Sequence, residues 1–169
     1  SAQKNMELIP LTYTIGHVDC KVYNEDVNDL ITKIKGDILY LDPPYNERQY
    51  CSNYHMLETI ARNDNPKIKG KTGLREYSYQ KSDFCIKNKV AIAFENLIKN
   101  ADFKYIFLSY NNEGLMSLDT IKNIMSKYGD YKVFTKEYRR FKADSKRQNK
   151  ATTTIEYLHC LVKNKKENN

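Results

Sequence analysis

The sequence predicts an α/β protein built on a mostly parallel sheet covered on both faces, with a final strand that runs antiparallel. Three observations lead to this prediction. Short apolar runs typical of strands alternate with segments of helical periodicity. The last two strand candidates have no helical segment between them, so they must be antiparallel neighbours. A length of 169 residues, 40% of them hydrophobic, suits one globular domain with a real core.

The first elements come after a leader, residues 1–20. Residues 21–23 are typical of a short strand. Apolar residues at helical spacing then predict a helix that ends at Gly36: Val27, Leu30, Ile31 and Ile34. A strand from Asp37 to Leu41 and a short helix over residues 54–62 complete this half of the chain.

The second half begins with an irregular stretch, residues 63–79, which contains Pro66, Gly70 and Gly73 among lysines. The remaining elements are predicted in this order: a helix over 83–100, a buried strand over 104–109, a helix over 117–128 that ends at Gly129, and two strands over 131–138 and 153–162. Residues 163–169 are expected to form a disordered tail, so the folded domain spans 21–162.

The stretch Leu41 to Tyr50, LDPPYNERQY, directly follows a predicted strand. Pro43 and Pro44 each fix a backbone φ angle and lack an N–H donor, so Asp42 and the neighbouring carbonyl groups are held rigidly. One interpretation is a site that positions a ligand; the other is an ordinary turn, because Asp-Pro and Pro-Pro are common turn sequences. Ligands bind at the carboxyl ends of parallel strands, which favours the first.

Basic residues are concentrated near the C-terminus. The whole chain has 28 Lys and Arg against 21 Asp and Glu, and six basic residues lie between Arg139 and Lys150 with only Asp144 to oppose them. Tyr138 and Phe141 are interleaved with these charges. The run is either a solvated loop or a surface for a polyanion such as nucleic acid.

Composition argues against other classes of protein. The four cysteines have neither C-x-x-C spacing nor paired histidines nearby, so we expect neither a metal site nor a disulfide framework. No run of 18 apolar residues occurs, and the N-terminus has no signal-like apolar core. We therefore expect a cytoplasmic protein.

Three stretches carry a resemblance to a known family: LYLDPPYNERQYCSNYHMLETIA, YIFLSYNNEG and KEYRRFKADSKRQNK. From about Val22 onward the chain resembles the bacterial adenine-specific DNA methyltransferases, which transfer a methyl group from S-adenosylmethionine to adenine N6. The Asp-Pro-Pro-Tyr turn alone is shared with other enzymes that methylate amino groups, whereas the longer strings are more specific. The resemblance implies a Rossmann-like methyltransferase sheet, double-stranded DNA as substrate, and in some cases a cognate restriction endonuclease as partner.

The resemblance also implies roles for particular residues. Asp42 and the carbonyl of Pro43 would accept the two hydrogens of the adenine amine, and Tyr45 would stack on a base flipped out of the duplex. Asp42 and Asp26 would contact the cofactor; Asp26 is equally well interpreted as a helix N-cap. The expected nucleic-acid contacts are Arg48, Tyr50, Tyr110, Asn111, Arg139, Arg140, Lys142, Lys146 and Arg147. Asn111 also suits a turn.

One family feature is missing from the sequence. These enzymes hold S-adenosylmethionine chiefly through a Phe-x-Gly-x-Gly-type turn, and the six glycines of this chain include no Gly-x-Gly pair. The chain therefore resembles the C-terminal portion of a methyltransferase. We expect a fragment, a truncated gene product, or one of two polypeptides that complete a site together, and an open sheet edge where the absent strands would pair.

Two other functions remain open at this stage. Ribosomal RNA guanine-N2 methyltransferases also use an Asp-Pro-Pro-Tyr turn. A nucleic-acid-binding remnant without a working cofactor site would retain the basic segment and have no activity.

Overall fold

The computed structural model describes residues 12, 16, 19–139 and 153–164, with the side chain of Arg139 left out. The helices and strands are α1 (Val27–Leu30), β1 (Lys35–Leu41), α2 (Tyr50–Asn53), α3 (His55–Arg62), α4 (Val90–Asn100), β2 (Asp102–Asn111), α5 (Leu118–Ser126), β3 (Gly129–Arg139) and β4 (Thr153–Lys163). Two short 3-10 turns, Ser78–Gln80 and Asp83–Cys85, precede α4. The chain is thus a mixed α/β protein.

The four strands form one sheet in the order β1-β2-β4-β3. β1 and β2 are parallel, whereas β4 runs antiparallel to both β2 and β3. The predicted antiparallel closing pair is confirmed. The expectation of a mostly parallel sheet is wrong for the described strands, because β4 inserts between β2 and β3 and makes two of the three pairings antiparallel.

One face of the sheet carries the hydrophobic core. Leu41, Ile106, Leu108 and Leu161 point to this face, where they pack against buried side chains of the helices. These helical side chains recur at helical spacing: Val90, Phe94, Leu97 and Ile98 from α4, Ile121, Ile124 and Met125 from α5, and Ile31 next to α1. Burial of this amphipathic stripe, more than helix propensity, fixes α4 and α5 on the sheet.

The opposite face of the sheet is exposed to solvent in the described structure and carries several large apolar side chains. Ile38 and Tyr40 of β1, Phe134 of β3 and Leu158 and Val162 of β4 are all exposed there. We expected helices on both faces. That expectation is wrong for the part of the chain that the structure describes, since α1, α4 and α5 all pack on the core face.

Three element boundaries differ from the sequence prediction. Residues 21–23 form no strand, and Val22 is almost fully exposed, because no described strand lies beside them to complete a ladder. Helix α1 ends at Leu30, and Gly36 instead belongs to β1, where it pairs with Phe103. The helix predicted from residue 83 begins at Val90, because Ile86 has an extended backbone after the 3-10 turn.

Among the described residues, no helix is both long enough and apolar enough to cross a lipid bilayer.

Candidate active site

The Asp-Pro-Pro-Tyr turn lies at the carboxyl end of β1, directly after buried Leu41. Asp42, Pro43 and Pro44 line a cavity of about 1020 Å³. Asp42 is exposed to that cavity and not walled in by apolar side chains. A rigid backbone on a strand end thus presents a carboxylate to a space that can hold a ligand.

Three contacts hold the segment that follows the turn. The backbone N–H of Leu115, just beyond the end of β2, donates to the carbonyl of Tyr45 at 2.9 Å. The side-chain amide of Gln49 pairs with the backbone of Ser82 through two hydrogen bonds of 3.1 and 2.8 Å. The thiol of buried Cys85 donates to the carbonyl of Arg48 at 3.4 Å. The segment of residues 45–49 is therefore anchored both to the sheet and to the chain before α4.

Asp26 lines the same cavity as Asp42. Its carboxylate accepts a hydrogen bond from the backbone N–H of Asn28 at 2.8 Å, so Asp26 caps helix α1 as well. Both interpretations of Asp26 are therefore compatible with the structure: it is a helix cap whose carboxylate stands at the edge of the cavity. Glu25, which pairs with Lys33, adds a second acid to this wall.

Aromatic side chains form another part of the cavity wall. Tyr50 and Tyr54 meet edge to face, with ring centroids 5.8 Å apart, and both line the cavity together with Tyr79. Burial raises the pKa of the Tyr50 hydroxyl, and the negative charge of Asp42 raises it further. Tyr50 is therefore a neutral donor beside the acid at ordinary pH. Tyr45 is partly exposed and does not line this cavity.

Tyr110 and Asn111 are the last two residues of β2. Tyr110 is only 3% exposed, and its hydroxyl accepts a hydrogen bond from the backbone N–H of Met116 at 3.4 Å. Asn111 is buried as well and accepts from the backbone N–H of Glu113, as a turn-forming asparagine does. Neither residue lines the cavity, so both support the loop that carries Leu115.

The remaining sequence-predicted contacts are scattered. Arg48 is exposed close to the Asp-Pro-Pro-Tyr turn, and its backbone N–H donates to the side chain of Asn46. Arg139 ends strand β3, opposite Thr153 of β4. Four predicted DNA contacts lie outside the described residues: Arg140, Lys142, Lys146 and Arg147. The backbone of β3 and β4 therefore places the ends of this basic segment side by side.

Sequence reasoning did not single out Tyr79, Lys81 and Ser82, which also belong to the cavity wall. No local signal marks residues 79–82, because they reach the cavity through the long-range pairing of Gln49 with Ser82.

Residues 1–124 match the family model described as D12 class N6 adenine-specific DNA methyltransferase. The chain is also similar to curated proteins. It is 54% identical over 96% of its length to the type II methyltransferase M.NlaIII of Neisseria lactamica, of which it covers 49%. It is 48% identical over 87% of its length to the type II methyltransferase M.FokI of Planomicrobium okeanokoites, and 40% identical over 86% to the modification methylase StsI of Streptococcus sanguinis.

The chain covers 23% of each of these last two relatives, so it spans half or less of the length of the curated proteins it matches. No solved structure matches it.

Proposed function

Because this chain belongs to the D12 class of N6 adenine-specific DNA methyltransferases, we propose that it carries the catalytic turn of an enzyme that methylates adenine N6 in double-stranded DNA. The observation that carries the proposal is the position of Asp42 and Pro43. They follow a core strand and line a cavity large enough for a flipped base. The curated relatives are type II and modification methyltransferases, which supports DNA as substrate and a cognate restriction endonuclease as partner.

The proposed methyl donor is S-adenosylmethionine, and the walls of the cavity are suited to it. This donor is a sulfonium cation attached to a purine nucleoside. Acidic Asp26 and Asp42 complement its charge and its polar groups, and Tyr40 and Tyr50 offer apolar surface. Asp26 and Asp42 are the residues we propose to hold it. When bound, the donor supplies an electrophilic methyl group to the cavity.

The task of the catalytic turn is to prepare the adenine amine. The lone pair of this nitrogen is delocalised into the ring, so the amine is a poor nucleophile until its hydrogens are held by acceptors. The Asp42 carboxylate and the Pro43 carbonyl are two such acceptors on a stiff backbone, and preorganised dipoles of this kind are usually the largest single contribution to catalysis. After methyl transfer, the surplus proton of the amine can pass to Asp42.

Aromatic residues would hold the base itself. A base inside a duplex is out of reach, so it must be flipped out at a cost of a few kcal/mol. Tyr45, exposed next to the turn, is our proposed stacking partner, and Tyr50 provides a further aromatic surface in the cavity. Base–aromatic stacking is worth about 1–3 kcal/mol, enough to offset much of the flipping cost.

The DNA backbone would be held by basic residues on both sides of the turn. We propose Arg48 on one side and the basic segment between β3 and β4 on the other, with Arg139, Arg140, Lys142, Lys146 and Arg147 as its phosphate contacts. Contacts of this type fix the register of a protein on DNA and carry no base specificity of their own.

The test is a methyl-transfer assay with labelled S-adenosylmethionine, duplex DNA and ribosomal RNA, followed by identification of the modified nucleoside. We expect N6-methyladenine in DNA. Formation of N2-methylguanine in RNA would instead support the ribosomal RNA enzyme, which the family match does not favour. Donor binding measured by calorimetry separates an enzyme from a remnant: a remnant would bind DNA and leave the donor unbound.

A further inference from the structure

Residues 63–81, which we call the lysine loop, connect α3 to the 3-10 turn at Asp83–Cys85. Four lysines of this loop are exposed: Lys67, Lys69, Lys71 and Lys81. Its two acids, Asp64 and Glu76, pair with Arg75 and Lys69. The surface of the loop is therefore strongly cationic, and Lys67, Lys71 and Lys81 have no acidic partner among the described residues.

An ion pair between buried Arg75 and the more exposed Asp64 fixes the base of the loop. The guanidinium of Arg75 is only 5% exposed and binds both oxygens of Asp64, at 3.2 and 2.5 Å. It also reaches the hydroxyl of Thr59 on α3 at 3.4 Å. A two-point arginine–carboxylate pair has a strongly preferred geometry. It therefore holds the part of the loop around Arg75 against the start of the loop and against α3.

The tip of the loop is fixed by backbone bonds. The amides and carbonyls of Lys69 and Leu74 form two hydrogen bonds of 2.8 and 2.9 Å, which close a short hairpin. Gly70 and Gly73 within it have φ angles of +70° and +64°, which residues with a Cβ rarely adopt. Lys71 thus stands at the end of an ordered projection.

Both ends of the loop lie at the candidate active site. Arg62, immediately before the loop, and Tyr79, Gln80 and Lys81 at its end all line the cavity that contains Asp42. Glu58 joins the two ends, since it accepts hydrogen bonds from Arg62 and Gln80. The loop that carries the lysines therefore begins and ends at the cavity wall.

We propose that the lysine loop is a preorganised phosphate-binding element that grips the DNA backbone beside the catalytic cavity, separate from the basic segment between β3 and β4. This inference rests on the proposed function. A surface loop that merely keeps a protein soluble gains nothing from a buried arginine. A loop that must present cations to phosphates gains affinity when it is already ordered, because no conformational entropy is then lost on binding. Phosphate contacts from two separate parts of the protein would hold the DNA strand while one base leaves the stack.

The first test removes the outer charges. The double variant Lys67→Gln/Lys71→Gln is compared with Lys122→Gln/Lys132→Gln, which removes two exposed lysines that do not line the cavity. Binding to a fluorescent mixed-sequence DNA duplex is followed by anisotropy over a range of salt concentrations. The slope of log K against log salt should fall by about 0.9 for each lost phosphate contact in the first variant. Equal slopes for both variants would overturn the proposal.

The second test separates preorganisation from charge. Asp64→Asn removes a negative charge, so simple electrostatics predicts tighter DNA binding. We expect weaker binding, because Arg75 loses its two-point partner and the loop is no longer held. Asp130→Asn, an exposed control on β3, makes the same change of charge away from the loop. Binding by Asp64→Asn that equals or exceeds binding by Asp130→Asn contradicts a fixed loop.

The outcomes distinguish this proposal from the proposed function. If the unaltered protein binds and methylates DNA while the lysine variants match their controls, only the lysine loop proposal fails. If the unaltered protein does not bind DNA and the complete enzyme does not methylate it, both fail. Thermal unfolding of each variant identifies any effect that comes from loss of the fold.

Discussion

Asp42 is the residue on which the proposed chemistry depends. It is an exposed carboxylate on a proline-stiffened turn, so Asp42→Asn changes its hydrogen bonding and charge with little change in shape. We expect methyl transfer by the complete enzyme to fall at least about 100-fold, the usual cost of losing one preorganised group at a reacting centre. DNA binding should be nearly unchanged.

The matched control for Asp42 is Asp37→Asn, which removes the same charge from the exposed start of the same strand. Initial rates with labelled donor are compared for the three proteins. Similar rates for Asp42→Asn and Asp37→Asn would rule out a catalytic role for Asp42.

His159 makes stability depend on pH. It is fully buried on β4, its Nδ1 lies 2.7 Å from the Tyr131 hydroxyl, and its Nε2 has no partner among the described residues. Burial lowers the pKa of His159 to about 4, below the unfolded value of about 6.5. The unfolded chain therefore binds a proton first, and stability should fall by up to about 3 kcal/mol as the pH drops from 7 to 4.

Urea unfolding at several pH values measures this effect. The variant His159→Phe keeps a ring at the site and cannot be protonated, so its stability should change less between pH 7 and pH 4. Parallel pH profiles for the two proteins would show that other groups cause the acid sensitivity.

At the scale of elements, the position of residues 45–49, which we propose to be part of the catalytic site, depends on the pairing of Gln49 with Ser82. Gln49→Met keeps the length of the side chain and removes both hydrogen bonds. We expect kcat to fall about tenfold, equivalent to about 1.4 kcal/mol, as the segment loses its anchor. The affinity for DNA should change little, because no phosphate contact is removed.

Asn123→Leu is the control, since it replaces an exposed side-chain amide on α5 that does not line the cavity. Single-turnover rates and the thermal stability of both variants are compared. A loss of kcat in Gln49→Met that merely follows a loss of stability would mean that Gln49 has no positioning role.

The sequence predicted elements well where one local pattern decided the structure. Ser117 caps α5 as a helix start should, and the apolar spacing of α4 and α5 marks their core face. Prediction failed where distant residues decide. Residues 21–23 have the composition of a strand but no described neighbouring strand. Tyr110 was an expected nucleic-acid contact, although its hydroxyl is bound to Met116 and its side chain lies in the core.

The candidate site was predictable to a similar degree. Asp26 and Asp42 belong to different segments of the sequence, and each was singled out because it is a polar residue next to a predicted strand or helix. In the structure both residues line one cavity, and their roles stay predictions. The pairing of Gln49 with Ser82 spans 33 residues and leaves no periodic signal, so it could not be found without the structure.

At the scale of the whole molecule, the open sheet face predicts self-association. Phe134 is 62% exposed there and stands opposite Leu158, so large apolar side chains on this face meet water. Such surfaces are usually covered by another protein surface. We expect sedimentation to show association that increases with concentration, and Phe134→Ser to reduce it.

The control for Phe134 is Ile92→Ser, which changes an equally exposed apolar residue on α4, outside the sheet. If both variants associate as strongly as the unaltered chain, the sheet face is not the contact surface.

The strand that bears the Asp-Pro-Pro-Tyr turn is also the outermost described strand on its side of the sheet. β1 pairs with β2 alone, so in the described structure alternate amides of β1 point away from any partner strand. In deuterated solvent, those amides should exchange much sooner than the amides of β2, which is paired on both sides. Slower exchange along β1 after a ligand or a second chain is added would show that the added molecule reaches the catalytic turn through its supporting strand.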